Sequence, residues 1–136
     1  MKRLAWALLG LFLSLPVTAR ADFQSGMTAF GQGDFIRADT EFRAAHAAGN
    51  PNGSFMLGVM AEEGLGRPVN LPEAIRWYRD AADAGLASAQ YNLGIAYQTA
   101  TGVQPSLPLA VEWFRRAALQ GHGKAMNNLG NLYEAG

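Results

Sequence analysis

The pattern of apolar and polar positions in this chain repeats at a fixed spacing of 36 residues. Leu57–Gly85 aligns with Leu93–Gly121 with 11 identities in 29 positions, and a further copy begins at Leu129. Within the copies, apolar residues recur at i, i+3, i+4 and i+7, the spacing of one face of an α-helix. A fixed period of about 20–50 residues is typical of stacked repeats. We therefore predict an all-α fold, a right-handed α-α superhelix (solenoid) of stacked helix hairpins.

Capping residues and glycines divide each copy into two helices. Asparagine, aspartate and serine cap helix N-termini, and glycine favours the positive φ that often follows a helix. These signals place the second helices at Phe35–Ala48, Leu71–Ala84 and Leu107–Gln120, after the caps Asp34, Asn70 and Ser106 and before Gly49, Gly85 and Gly121. The first helices are predicted at Asn52–Glu63, Ser88–Thr99 and Gly123–Ala135, with an earlier, divergent hairpin over Asp22–Gly49.

Each first helix carries a leucine-glycine pair in its middle. The pairs are Leu57-Gly58, Leu93-Gly94 and Leu129-Gly130. A glycine within a helix costs about 1 kcal/mol relative to alanine, so its recurrence at one position requires a compensating gain. We predict close approach of a neighbouring helix at these glycines. In the second helix, we predict that one stripe of side chains is buried, namely Ala74, Ile75, Tyr78, Ala81 and Ala82.

The first 21 residues have the composition of a signal peptide. Lys2 and Arg3 precede the 12-residue apolar run Leu4–Leu15, and Ala19-Arg20-Ala21 supplies small residues at a cleavage site. The run is shorter than the roughly 20 apolar residues of a spanning helix. We expect cleavage after Ala21 and a periplasmic or secreted protein without stable membrane insertion. An uncleaved membrane anchor is the alternative.

Removal of residues 1–21 changes the charge of the chain. Eight basic and eleven acidic side chains remain, a net charge of −3. A mildly acidic chain without a basic cluster is not expected to bind nucleic acid. The sequence has no cysteine, so neither disulfide bonds nor thiol chemistry is available.

Few residues have the arrangement of a catalytic or metal site. His46 and His122 are the only histidines, and they lie two repeats apart, so we predict capping or solvent-exposed roles for them. Glu62 and Glu63 point about 100° apart on a helix, which favours solvated charges over a catalytic pair. Gly64-Leu65-Gly66-Arg67 lacks the ending of a phosphate loop. We expect a non-enzymatic protein with no cofactor and no metal.

The paired aromatic residues allow two interpretations. Trp77-Tyr78 and Trp113-Phe114 have the composition of sugar-stacking platforms, but they stand 36 residues apart within the buried stripe. That position favours core packing. Tyr97 and Tyr133 are likewise predicted to be wedges between helices.

One set of spaced residues resembles a known repeat family. The set is Asn92-Leu93-Gly94-x-x-Tyr97, Gly102-Val103, Ala110, Trp113-Phe114, Ala117-Ala118 and Gly121, and Asn128-Leu129-Gly130-x-x-Tyr133 begins another copy. This pattern is similar to the Sel-1-like repeat (SLR) family, a longer-looped relative of the tetratricopeptide repeats. The copy at Gly66 departs from it, with Met56 and Ala61 in place of Asn92 and Tyr97.

The resemblance implies an organisation and a mode of action. After the predicted signal peptide of residues 1–21, we expect a divergent tetratricopeptide-like hairpin at 22–50, two repeats at 51–86 and 87–122, and a partial third repeat at 123–136. The family implies a solenoid that binds proteins or peptides in a concave groove lined by first helices. Cysteine-rich relatives are linked to penicillin binding or hydrolysis, but this chain has no cysteine and that activity is not expected here.

By analogy with tetratricopeptide grooves, two sets of first-helix residues face a partner. Tyr91, Asn92 and Ile95 form the first set; Lys124, Asn127, Asn128 and Asn131 form the second. Asparagine amides both donate and accept, so they suit the backbone of an extended peptide, and a lysine suits a carboxylate. An alternative for Asn92 and Asn128 is that each ties down its own interhelix loop.

These observations predict a non-catalytic protein-interaction module of the cell envelope that binds a peptide or protein partner. The alternative is an envelope enzyme or a glycan- or peptidoglycan-binding protein that uses aromatic residues in the groove. Leu129, Leu132 and Tyr133 repeat the apolar phase of a helix covered on two sides. We therefore also expect that the last helix is covered by more chain or associates end to end with another copy.

Overall fold

The computed structural model describes residues 22–136, and all regular structure in this range is helical. The seven helices are α1 (residues 22–31), α2 (Phe35–Ala47), α3 (Pro51–Glu63), α4 (Leu71–Asp83), α5 (Ala87–Thr99), α6 (Leu107–Leu119) and α7 (Gly123–Ala135). From α2 onward, each helix packs against the next one along the chain. The predicted all-α solenoid is confirmed. The predicted signal peptide lies outside the described residues.

The predicted capping residues occupy their expected places. The side chains of Asp34, Asn70 and Ser106 accept hydrogen bonds from the backbone N–H three residues later, at the starts of α2, α4 and α6. The glycines after these helices have positive φ, at 87° for Gly49, 96° for Gly85 and 85° for Gly121. Local side-chain and backbone chemistry therefore defines where each second helix begins and ends.

The second helices start where predicted but end one residue earlier than predicted. Ala48, Ala84 and Gln120 are not helical but are the C-caps of α2, α4 and α6. At the C-terminus of each of these helices, two backbone hydrogen bonds enclose the glycine. In α2, the N–H of Gly49 donates to the carbonyl of His46, and the N–H of Asn50 donates to the carbonyl of Ala45. This pairing is the Schellman motif, which makes the residue before the glycine the cap.

The first helices α3 and α5 start one residue earlier than predicted, whereas α7 starts at Gly123 as predicted. Pro51 occupies the first turn of α3, where its missing N–H is not needed, and Asn50 caps that helix. In α5, Leu86 is the N-cap and makes no side-chain capping bond. No sequence signal therefore marks Ala87 as the first residue.

Aromatic rings explain the recurring glycines within helices. A Cβ atom placed on Gly94 would lie 2.5 Å from two ring carbons of Phe114, and one placed on Gly58 would lie 2.6 Å from the ring of Tyr78. The predicted close approach is thus an aromatic ring from the next helix, resting directly on the glycine. At Gly130 a Cβ would meet nothing within 4 Å.

The predicted stripe of α4 is buried throughout, and it belongs to a core cluster that extends from α3 to α7. A smaller cluster around Ala29, Ala38 and Phe42 fills the N-terminal hairpin. Trp77 is half-buried and packs against this second cluster. Each hairpin therefore buries its apolar face against its neighbours, as a solenoid requires.

Candidate functional site

A cavity of about 260 Å³ lies between the first helices α3 and α5, with the second helix α4 as its floor. Both first helices pack against α4, and the space between them remains open. Its lining combines apolar and polar side chains: Leu71, Ile75 and Tyr78 from α4, Tyr91, Asn92 and Ile95 from α5, and Glu62 from α3. This cavity is the candidate site.

The structure places the two predicted sets of site residues differently. Tyr91, Asn92 and Ile95 all line the cavity. The second set lies on α7 and does not reach it; Lys124, Asn127 and Asn131 are exposed, and Asn128 is half-buried. Binding by either set stays a prediction.

The internal repeat nevertheless relates the two sets. Asn127, Asn128 and Asn131 follow Tyr91, Asn92 and Ile95 by 36 residues, so they hold the same three positions on α7. The face that forms the cavity wall in α5 thus reappears in α7 as three amides. One repeat earlier, α3 carries Phe55, Met56 and Val59 at these positions. The face changes from apolar to amide-rich along the solenoid.

Packing fixes the orientation of the α5 residues. The ring of Tyr91 stacks on the ring of His122, with centroids 4.7 Å apart and an interplanar angle of 27°. It also contacts Phe114 at 5.9 Å between centroids. Asn92 lines the cavity together with Tyr78, which belongs to the preceding repeat. The alternative in which Asn92 ties down its own interhelix loop stays open.

Glu62 and Tyr78 form a polar pair in the cavity that sequence analysis missed. The hydroxyl of Tyr78 donates a hydrogen bond of 2.5 Å to Oε2 of Glu62. Burial raises the pKa of Tyr78 well above its ordinary value, and the hydrogen bond and negative charge of Glu62 raise it further. Tyr78 therefore remains a proton donor at any physiological pH.

The interpretation of Glu62 as a solvated charge is wrong, because this side chain is half-buried and accepts the bond from Tyr78. Glu63 is exposed, as predicted. A sequence signal for the pair does exist. At the equivalent positions one repeat later, Gln98 replaces Glu62 and Phe114 replaces Tyr78, so both partners change together.

The two histidines have structural roles. His122 Nδ1 accepts a hydrogen bond from the backbone N–H of Ala125, which confirms the predicted capping role for this residue. His46 is half-buried, in contrast to a solvent-exposed role; its Nδ1 lies 2.6 Å from Ser54 Oγ. Asp80 lines the same small cavity, of about 130 Å³.

A serine, a histidine and an aspartate in one cavity raise the question of nucleophilic catalysis. The Ser54 residue is only 2% exposed, so its hydroxyl is sealed from a substrate. The His46 ring is further held edge-on against Trp77, with centroids 5.1 Å apart. A nucleophile must reach the reacting carbonyl, so this cluster is a packing arrangement.

The aromatic residues follow the core interpretation with one exception. Tyr78, Tyr97, Trp113 and Phe114 are buried. Tyr133 is 58% exposed, so its predicted role as a wedge is wrong. Within residues 22–136, α6 is the one helix that packs extensively against α7, and Tyr133 accepts a hydrogen bond of 2.8 Å from Arg115.

The loop Gly64-Leu65-Gly66-Arg67 joins α3 to α4 within one hairpin and packs against α2 of the preceding hairpin. Arg67 forms ion pairs with Asp39 of α2 and Glu73 of α4. A Cβ on Gly66 would lie 2.9 Å from Cβ of Phe35, so the loop packs directly against the start of α2. Through these contacts, the loop has a structural role in packing one repeat against the next.

Two further observations concern membrane-spanning helices and metal sites. No helix within residues 22–136 combines the length and the apolar character needed to cross a bilayer. In the same part of the chain, no three acidic, histidine or cysteine side chains come together in an arrangement suited to a metal ion.

Stacked hairpins with an open face along their first helices define a helical-repeat solenoid of the tetratricopeptide type. A comparison with family models identifies the type of repeat. The Sel1 repeat matches residues 51–86, 87–122 and 123–136, more than half of the chain. The chain belongs to the Sel1 repeat family. Sel1 repeat proteins are generally protein-interaction modules, and the fold is typically a non-catalytic scaffold.

Solved structures of similar proteins agree with this assignment. A Sel1 repeat protein from Oxalobacter formigenes is 34% identical with a TM-score of 0.77, over 81% of this chain and 45% of its own. The protective antigen c5321 of uropathogenic Escherichia coli strains, which has an SLR fold, is 32% identical with a TM-score of 0.80, over 86% of this chain and 26% of its own. The chain therefore spans less than half the length of these two proteins.

A third structure shares the fold at lower identity. Cysteine-rich protein B of Helicobacter pylori is 20% identical with a TM-score of 0.71, over 88% of this chain and 95% of its own. The likeness extends to the fold alone, and this chain contains no cysteine. No curated protein sequence matches the chain significantly.

Proposed function

We propose that this chain is an interaction module that holds an extended segment of a partner protein along the face formed by α3, α5 and α7. The observation that carries the proposal is the cavity between α3 and α5. It lies on the face that first helices present in repeat solenoids, and its wall positions recur one repeat later on α7.

The chemistry of this face suits an extended peptide. Asn92, Asn127 and Asn131 carry amides that both donate and accept, which is what the alternating N–H and C=O groups of a peptide backbone require. Ile95 and the half-buried ring of Tyr91 supply apolar contact. Lys124 is exposed one turn before Asn127 and suits a carboxylate of the partner, such as its C-terminus.

The glycan-binding alternative has less support. A sugar-stacking platform needs an accessible aromatic face, but Tyr91 stacks on His122 and the Trp113 and Phe114 rings are buried.

We place the module in the cell envelope as part of the proposal, on the basis of the leader-like composition of residues 1–21. Export with cleavage should give a mature chain that starts at Asp22. N-terminal sequencing of the protein from a periplasmic or secreted fraction measures this directly, and recovery of Met1 there would contradict cleavage.

The binding proposal is tested by selecting peptides from a displayed random library on the purified protein, then titrating a selected peptide against variants. Lys124→Ala should weaken binding by roughly one to two orders of magnitude, since a hydrogen bond to a charged group contributes about 1.5–3 kcal/mol. Asn127→Ala should weaken it about fivefold, because a neutral bond contributes about 1 kcal/mol. Both residues are exposed, so the melting temperature should stay unchanged.

The matched control is Arg76→Ala, a charge removal on the exposed face of α4. Arg79 is less suitable, because its guanidinium donates a 2.7 Å hydrogen bond to the hydroxyl of buried Tyr97. If Arg76→Ala weakens binding while both α7 variants bind normally, the partner lies on the opposite face and the proposal is wrong.

A further inference from the structure

We propose that the cavity between α3 and α5 receives a lysine or arginine side chain of the bound segment, with Glu62 as its counter-charge. The inference rests on the proposed function and names a residue that the partner must supply. It follows from the size of the cavity, from its walls and from the single carboxylate held at it.

The cavity has the size and walls of a pocket for one long side chain. Its volume of about 260 Å³ is below the roughly 300–1,000 Å³ of sites for drug-sized ligands. Leu71, Ile75 and Ile95 provide apolar walls. Lysine and arginine place their methylene stems along apolar surface while keeping the charged head at a polar group, so they match this lining.

Glu62 supplies that polar group. Tyr78 donates its hydroxyl proton to Oε2 of Glu62, which orients the carboxylate and leaves Oε1 as the oxygen for a ligand. Tyr78 itself is held by burial in the core. An ammonium or guanidinium donating to a pre-oriented carboxylate forms a charge-assisted hydrogen bond, stronger than a neutral one.

The next repeat shows the same position without this chemistry. Gln98 and Phe114 replace Glu62 and Tyr78, and the neighbouring wall positions are Asn127, Asn128 and Asn131. That position offers neutral amides where the cavity offers a carboxylate. The solenoid therefore selects a basic side chain at one position only. This contact fixes the register in which the peptide binds, while its other positions tolerate different sequences.

The repeat also supplies conservative test variants. Glu62→Gln and Tyr78→Phe introduce residues that the next repeat already carries at these positions, so both variants should fold, as checked by circular dichroism and thermal melting. Glu63→Gln is the matched control, because it removes the same charge from the adjacent, exposed residue outside the cavity lining.

The displayed library is selected in parallel on the wild-type protein, Glu62→Gln and Glu63→Gln. We expect lysine or arginine at one fixed position of the peptides enriched by wild type and by Glu63→Gln, and loss of this preference with Glu62→Gln. Enrichment of peptides without a fixed basic residue would overturn the basic pocket and leave peptide binding intact. Enrichment of no peptide at all would overturn the proposed function, and the pocket with it.

Titration of one selected peptide then measures the contact. Replacing its basic residue by norleucine should weaken binding to wild type roughly 10- to 100-fold, as expected for a hydrogen bond between charged groups. Glu62→Gln should bind the norleucine peptide as wild type does, and Tyr78→Phe should weaken the basic peptide less than Glu62→Gln does. Equal losses for the basic and norleucine peptides on Glu62→Gln would contradict direct pairing and indicate a structural role for Glu62.

Discussion

Replacement of Leu93 by alanine should lower the free energy of unfolding of the whole stack by about 2–5 kcal/mol. Leu93 is completely buried and lies within the core cluster that joins α3 to α7. Truncation removes its transfer free energy and leaves a cavity that rigid neighbouring helices fill only partly. Because folded domains are stable by only about 5–15 kcal/mol, chemical denaturation should detect the change easily.

Leu129→Ala is the matched control for this prediction. Leu129 follows Leu93 by 36 residues, but it is only half-buried at the edge of the same cluster. Its truncation should lower the free energy of unfolding by less than half as much, since less apolar surface leaves the core. Equal losses for the two variants, or a wild-type denaturation curve for Leu93→Ala, would contradict the observed packing.

Replacement of Gly94 by leucine should destabilise the protein by about 3 kcal/mol or more, through overpacking and displacement of a buried ring. A Cβ atom alone would lie 2.5 Å from the ring of Phe114, which is fully buried. Thermal or chemical denaturation of the purified variant provides the measurement.

Gly130→Leu is an internal control, because a Cβ at Gly130 would meet nothing within 4 Å. Leucine has higher helix propensity than glycine, so this variant should be unchanged or more stable by up to about 1 kcal/mol. The two glycines occupy equivalent repeat positions, so the contrast isolates the effect of the aromatic ring. If Gly94→Leu is as stable as Gly130→Leu, the ring does not rest on Gly94 as described.

Much of the fold could be predicted because local sequence signals that repeat along the chain determine where its helices lie. Asp34, Asn70 and Ser106 cap helices through bonds within three residues, and such bonds depend only on neighbours in the sequence. One of the one-residue errors arises where the sequence carries no signal, at Leu86, which caps α5 without a side-chain bond.

The side chains that cover Gly58 and Gly94 could not be predicted from the sequence. Each ring comes from a residue 20 positions later, Tyr78 or Phe114. The sequence showed that something packs closely there, but its identity depends on how successive helices cross. The crossing of helices is a property of the tertiary structure, which local sequence patterns do not specify.

The candidate site was predicted only in part for the same reason. Tyr91, Asn92 and Ile95 were identified by their place on a first helix, and they do line one cavity. Glu62 and Tyr78 were not paired, because their contact joins two helices across 16 residues. Comparing repeats would have found them, since Gln98 and Phe114 replace both partners together.

Backbone amide chemical-shift mapping with a selected peptide tests the central claim most directly. If the module binds along its first helices, the largest changes should fall on Glu62, Tyr91, Asn92 and Asn127, and they should continue from α5 onto α7. Arg76 and Asp80, on the exposed face of α4, should not shift. Changes concentrated on Arg76 and Asp80, with Tyr91 and Asn92 unaffected, would contradict this account of how the solenoid binds its partner.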